Sequence, residues 1–128
     1  MNPAFTVLAA FAYLEVKHLV CDFFLQTSHQ IENKGTYGHP GGLVHAGIHM
    51  LGTIPIFFFY PVGLGAAAAV LAAEFIAHYH IDWLKNVIGE HYGWTTRDPA
   101  YWWAFGIDQF LHQLTYIVMV AVLIMLSA

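Results

Sequence analysis

The sequence carries very little charge, and this scarcity excludes several classes of protein. Of 128 residues, four are lysine or arginine and eight are aspartate or glutamate, which gives a formal net charge of −4. Without a basic cluster, the chain lacks the phosphate-neutralising surface that nucleic-acid binding requires. The single cysteine, Cys21, excludes an internal disulfide bond. The N-terminal segment also lacks the basic residues of a signal peptide, so we interpret it as a retained membrane helix.

Apolar residues, in contrast, make up 59% of the chain. A soluble domain of this length could not bury so much apolar surface, and runs of about 20 residues with almost no charge are typical of bilayer spans. We therefore predict an all-α protein, an integral membrane four-helix up-down bundle. Residues 1–128 are expected to form a single transmembrane domain. The predicted spans are residues 3–26, 43–60, 64–85 and 102–126.

Each predicted span carries polar side chains at one of its ends. In the third span Glu74, His78 and Asp82 are four residues apart, and such positions lie on one face of a helix. An ionisable side chain in lipid costs roughly 3 kcal/mol or more unless it faces the protein interior. The polar residues lie near the end of the first and third spans and near the start of the second and fourth. Four alternating passes therefore bring them to the same side of the membrane, where we expect one buried cluster.

Histidines and carboxylates together form the usual ligand set of Zn²⁺, Mn²⁺ and non-haem iron. We therefore predict that the cluster binds a divalent metal ion, Zn, Mn or Fe. The predicted metal ligands are His18, Asp22, His45, His49, His78, Asp82 and His112. Gln26 and Gln109 are predicted to orient them. The candidate catalytic groups are Glu74, Asp108 and Lys85, with Glu74 or Asp108 as general base toward a metal-bound water.

The same residues also admit structural interpretations. Histidine and aspartate pairs can fix a bundle through hydrogen bonds between helices. Asp108 is also suited to the positive N-terminal end of a helix. Lys85 is compatible with an interfacial anchor, and Lys17 is expected to point away from the polar stripe of its helix toward the lipid headgroups.

Five sequence elements resemble those of a bacterial membrane-protein family known as domain of unknown function 3307. They are His18-Leu-Val-Cys-Asp22-Phe-Phe-Leu-Gln26, Lys34, His45-x-x-x-His49, His78-x-x-x-Asp82-x-x-Lys85 and Asp108-Gln109-x-x-His112, in this order. The resemblance implies a four-helix membrane protein with a shared polar site, and it implies no particular reaction. It also implies that Lys34 folds back over the site as a supporting group. More distantly, the histidine and aspartate content is similar to that of membrane-bound metal-dependent hydrolases.

Our leading functional hypothesis is a metal-dependent hydrolase that acts on a lipid-linked or membrane-proximal substrate. A small proton or metal transporter is an alternative, although residues 50–60 and 117–128 contain no charge to line a path. A third hypothesis is a structural or accessory protein in which the polar cluster is a hydrogen-bond network that stabilises the bundle.

The distribution of the four cations predicts an orientation. All of them lie on the side of the polar cluster, so the positive-inside tendency places loops 27–42 and 86–101 in the cytoplasm. We expect a multi-pass protein of the bacterial inner membrane. The lipid bilayer is its expected partner, nucleic acid is not, and the oligomeric state is left open.

Overall fold

The computed structural model describes residues 2–127, and these contain helices but no strand. Four of the helical segments are long and apolar enough to cross a membrane. The prediction of an all-α fold is thus confirmed. The elements are α1 (Pro3–Leu19) with a π-helical turn (Val20–Phe24), α2 (Ser28–Asn33), α3 (Pro40–Thr53) with a 3₁₀ turn (Ile54–Phe58), α4 (Leu64–Tyr92) and α5 (Pro99–Leu126).

Local signals set the helix ends. Pro3, Pro40 and Pro99 open three of the long helices, a position where the missing N–H costs no hydrogen bond. Gly93 ends α4 with a φ of +65°, a left-handed conformation that glycine adopts without steric cost. Outside the apolar segments, the backbone N–H and hydroxyl of Thr95 donate to the Asp98 carboxylate, which lowers the pKa of that carboxyl.

Contacts between the long helices show an antiparallel ring. Near the end of α3, the Gly52 carbonyl accepts from the Tyr13 hydroxyl at 2.6 Å. Near the start of α3, His45 contacts Asp22, which comes later in the chain than Tyr13. The first span and α3 are therefore antiparallel.

Helix α4 runs antiparallel to α3, because Thr53 contacts Glu74 whereas the earlier residue His45 contacts the later residue Asp82. Helix α5 packs against both α4 and α1. Short α2 packs on α3. The result is a four-helix up-down bundle.

Many apolar side chains lie on the outside of the bundle, and many polar side chains are buried inside it. Large apolar side chains face outward, including Leu8, Phe58 and Met125, which are 68%, 89% and 70% exposed. One half of the interior is an apolar core formed by Ala10, Leu14, Ile56, Tyr60, Val70, Tyr116, Met119, Val120 and Leu123. The other half is filled with histidines and charged groups. A soluble protein shows the reverse pattern, so this distribution is consistent with a bilayer environment.

The helices extend further into the polar segments than the sequence predicted. Helix α2 lies within predicted loop 27–42, where Thr27 caps it by accepting from the Gln30 backbone N–H. Helix α4 continues through Asn86 to Tyr92, past Gly89, and ends where Gly93 adopts the left-handed conformation. Helices α3 and α5 each begin three residues before the predicted spans, at their prolines. Hydropathy locates the apolar part of a helix, whereas caps decide where the helix ends.

Candidate metal centre

Asp22 is the centre of the first part of the polar cluster. It lies in the π-helical turn Val20–Phe24, a wide-turn geometry that occurs often at functional sites. Its Oδ1 lies 2.9 Å from His49 Nε2 and 3.1 Å from His45 Nε2. Its Oδ2 lies 3.0 Å from His18 Nε2, one helical turn earlier. Three imidazoles from two helices therefore surround one buried carboxylate.

Asp82 is the centre of the second part. Its Oδ2 lies 2.8 Å from Lys34 Nζ, 3.3 Å from His45 Nε2 and 3.5 Å from His78 Nε2. On the other side, its Oδ1 lies 3.8 Å from His112 Nε2. Lys34 reaches this position from the C-terminal end of α2, which folds over the end of the bundle. His45 faces both aspartates and joins the two parts.

Two groups of side chains have ligand atoms close enough to share an ion. Within each group the atoms all lie within 4.8 Å of one another, and every residue is buried. The first group is Asp22, His45, His49 and His78, and the second is His78, Asp82 and His112. Zinc is held at about 2.0–2.2 Å by nitrogen and carboxylate ligands, so small side-chain movements would close either group around an ion.

Several atoms in the cluster are buried without a hydrogen-bond partner among the described residues. They include Nε2 of His45, His78 and His112. These atoms approach opposite charges, yet none meets its neighbour in hydrogen-bond geometry. Burying a polar atom unsatisfied costs free energy, and native proteins rarely leave one so. A cation bound in one of the two ligand groups would give the nitrogens of that group a partner.

The tautomer of His112 is also consistent with a cation in the cluster. Its Nδ1 lies 2.8 Å from the backbone carbonyl of Asp108, which can only accept, so Nδ1 carries the proton. In the neutral ring Nε2 then carries a lone pair, 3.8 Å from Asp82 Oδ1. A lone pair and a carboxylate at this distance repel each other, and either a metal cation between them or a proton on Nε2 removes the repulsion. The proton arrangement with Nδ1–H donated and Nε2 free is the one that metal-binding histidines usually adopt.

Comparison with known protein families identifies the family to which the chain belongs. The family described as Protein of unknown function (DUF3307) matches residues 10–128, which is most of the chain. The chain belongs to the DUF3307 family. This confirms the resemblance seen in the sequence, and the matched residues include the whole polar cluster. No curated protein and no solved structure matches the chain.

In this DUF3307 chain His18 lies outside both ligand groups, although the sequence predicted it as a metal ligand. Its Nε2 lies 3.0 Å from Asp22 Oδ2 and 3.2 Å from Gln109 Oε1, both of which accept. Its Nδ1 lies 2.9 Å from the Tyr116 hydroxyl. Both ring nitrogens are thus engaged, and His18 is placed to hold Asp22 in position.

Amide side chains surround the ligands of the DUF3307 cluster. Gln109 Nε2 donates to Asp108 Oδ2 at 3.1 Å and to Asp22 Oδ2 at 3.4 Å. Gln26 donates to the backbone carbonyl of Asp22 at 2.8 Å and so holds the π-helical turn. The sequence did not predict Gln30, whose Oε1 lies 3.3 Å from His45 Nδ1. No spacing signal identifies it, because it lies on α2, in a segment that was predicted to be a loop.

The three candidate catalytic residues lie in different places. Asp108 is buried in the cluster, with Oδ1 3.9 Å from His112 Nδ1. Lys85 is half-buried near the surface, with Nζ 5.9 Å from the centre of the Phe105 ring. Glu74 belongs to a separate ion pair with Lys17. Only Asp108 therefore lies directly beside the ligand groups.

The expectation for Lys17 was wrong, because this side chain points into the bundle. Its Nζ lies 2.7 Å from Glu74 Oε1, 3.4 Å from the His49 carbonyl and 4.6 Å from the centre of the Tyr116 ring. The Thr53 hydroxyl also donates to Glu74 Oε1, at 2.8 Å. The face of α1 that points into the bundle thus includes two consecutive residues, Lys17 and His18. The buried ammonium of Lys17 is stabilised there by the opposite charge of Glu74.

Proposed function

We propose that the chain is an integral membrane protein whose buried cluster binds a divalent metal ion, Zn, Mn or Fe. The observation that carries this proposal is the convergence of unpartnered imidazole nitrogens on buried carboxylates, in two groups whose ligand atoms lie within 4.8 Å of one another. A cation would supply a partner for the nitrogens of the group that binds it. It also offsets the repulsion among Asp22, Asp82 and Asp108, which lie in one small volume.

The first experiment is elemental mass spectrometry of the detergent-purified protein. We expect at least one Zn, Mn or Fe per chain in the wild type and less than about a tenth of that in a His78→Ala/Asp82→Ala variant. The matched control is His80→Ala, because His80 is an exposed histidine on the same helix and belongs to neither ligand group. Circular dichroism verifies that each variant is helical. Metal-free wild type, or full metal content in the double variant, would refute the proposal.

We further propose that the metal supports hydrolysis of a lipid-linked or membrane-proximal substrate. A divalent metal supplies a bound water that ionises near neutral pH. Among the chain's own groups, Asp108 is placed to accept a proton, since its Oδ1 is buried at the cluster without a hydrogen-bond partner. Glu74 also has a buried oxygen without a hydrogen-bond partner, Oε2, but it is less suited to this role because it is paired with Lys17, whereas Asp108 lies beside the candidate ligand His112. Gln109 positions Asp108 by donating to Oδ2.

The Asp108→Asn variant tests the catalytic part of this proposal. Loss of a general base lowers a rate by about 100-fold or more, so we expect that decrease in hydrolysis of a panel of lipid esters and phosphoesters. Metal content should stay at the wild-type level, because Asp108 belongs to neither ligand group. Equal hydrolysis by the variant would remove Asp108 from the mechanism. If metal-loaded and metal-stripped wild type both leave the panel intact, the hydrolase proposal fails for these substrates.

Transport is the second candidate, and one observation favours it. The Lys17–Glu74 pair and Thr53 extend the buried polar groups beyond the histidine cluster toward the apolar core. A proton or metal path needs such groups at successive depths. Ion uptake by proteoliposomes that contain the protein, and its absence from empty liposomes, would favour transport over hydrolysis.

We place the protein in the bacterial inner membrane, with loops 27–42 and 86–101 in the cytoplasm. The orientation is supported by the positive-inside tendency of the four cations. Two of these cations, Lys17 and Lys34, are paired inside the bundle, so Lys85 and Arg97 carry most of the signal at the surface. Accessibility of single cysteines placed in either loop to a membrane-impermeant reagent tests the orientation.

A further inference from the structure

A groove between α4 and α5 opens on the outer surface of the bundle. Its volume is about 530 Å³, and most of its lining is apolar, with Leu84, Ile88, Trp103 and Ile107 among the residues. Its charged lining residues are Lys85 and Asp108. Because Asp108 also belongs to the buried cluster, the floor of this groove adjoins the candidate metal centre.

The groove continues toward the other end of the bundle. A second cavity of about 410 Å³ lies between the same two helices and shares Ile81 and Leu111 with the first. From Val70 to Ile88, at 1.5 Å per residue, the two cavities follow α4 for about 27 Å. This length approaches the ~30 Å thickness of a bilayer's hydrocarbon core. The seam is therefore longer than one leaflet and apolar along most of its length.

At the end that lies away from the second cavity, the groove joins a more polar cavity. This third cavity has a volume of about 360 Å³ and includes Asn86, Glu90 and Tyr101 in its lining. It shares Lys85 with the apolar groove, so this cation lies where polar and apolar linings meet. Among residues 2–127, no carboxylate lies within ion-pair distance of Lys85.

We propose that the α4–α5 seam binds one anionic phospholipid, with an acyl chain in the apolar groove and the net-negative headgroup at Lys85. A cation without a carboxylate partner, at the junction of a polar and an apolar cavity, complements an amphiphile with a negative headgroup. A helix from a second copy would cover Lys85 with apolar surface and leave its charge unpaired. The lipid is the substrate only if the proposed hydrolase function holds. Its binding does not require the metal.

Native mass spectrometry of detergent-solubilised protein mixed with phosphatidylglycerol or phosphatidylcholine tests the proposal. One cation near a net-negative headgroup contributes about 1 kcal/mol, whereas the choline of phosphatidylcholine neutralises its phosphate, so we expect the wild type to retain phosphatidylglycerol about fivefold more strongly. Lys85→Gln should bind both lipids equally. Ala104→Trp, which adds an indole in the groove, should lose both. The matched control Arg97→Gln, which removes an exposed loop cation outside the three cavities, should keep the wild-type preference.

The possible outcomes distinguish the proposed lipid site from the proposed metal centre. Equal retention of both lipids by the wild type, or equal loss of preference in Arg97→Gln, overturns the lipid site. A lipid-free dimer also overturns it, because a second copy would then occupy the seam. Elemental analysis of the same samples reports the metal independently. If the protein prefers phosphatidylglycerol but contains no metal, the lipid site is supported and the metal centre is refuted. If it contains metal but shows no lipid preference, the metal centre is supported and the lipid site is refuted.

Discussion

The Lys17→Met variant is expected to unfold with a free energy about 3–5 kcal/mol lower than that of the wild-type chain. Lys17 Nζ and Glu74 Oε1 are 2.7 Å apart, and both side chains are almost completely buried. Methionine fills a similar volume but leaves the Glu74 carboxylate in the interior without an opposite charge. An unfolding titration in mixed detergent micelles, followed by circular dichroism, measures the difference.

Two further variants show whether the ion pair is the cause. Glu32→Gln removes an exposed carboxylate from α2, outside the membrane spans, and we expect a change within about 0.5 kcal/mol. Lys17→Met/Glu74→Gln removes both charges while an amide oxygen stays available to the Thr53 hydroxyl. Replacing both members of a buried pair is often nearly neutral, so the double variant should recover most of the loss. If Lys17→Met matches the wild type in stability, the pair does not stabilise the fold.

The His78→Asn variant is expected to show the largest loss of metal affinity among single substitutions. His78 belongs to both ligand groups, whereas Asp22 and His112 each belong to one. Loss of an outer partner of a metal ligand typically lowers affinity about 10–100-fold, so loss of a ligand common to both groups should exceed about 100-fold. Isothermal titration of the metal-stripped protein with Zn²⁺ provides the measurement.

Asp22→Asn and His112→Asn serve as comparisons, because each leaves one ligand group complete. We expect both variants to bind Zn²⁺ more tightly than His78→Asn. His80→Asn should match the wild type, since its ring faces the surface and Nδ1 lies 2.7 Å from the Ile76 carbonyl. If His78→Asn binds no more weakly than Asp22→Asn, the two groups do not depend on a common ligand.

The helices and the end of the bundle that holds the cluster were predictable from the sequence. Long apolar runs determine four spans, and alternating passes bring polar span ends together without any knowledge of side-chain contacts. The four-residue spacings were equally informative, because His45 and His49, or His78 and Asp82, must lie on one helix face. These inferences depend on periodicity within one helix.

The partners across helices were not predictable, because they depend on how each helix is rotated and shifted against its neighbours. Lys17 follows the polar residue Glu15 by two positions, yet Lys17 is buried and Glu15 is exposed. The ion pair with Glu74 joins residues 57 positions apart. Gln30 contacts His45 only because α2 folds over the end of the bundle. No spacing rule applied to a single segment contains this information.

The dual membership of His78 couples the two ligand groups. A neutral imidazole has one lone pair, so His78 can serve only one of the two groups at a time. If an ion is bound as proposed through His78, Asp82 and His112, the other group would retain Asp22, His45 and His49 as its candidate ligands. The two groups therefore compete for one side chain, and a change at His78 would affect both.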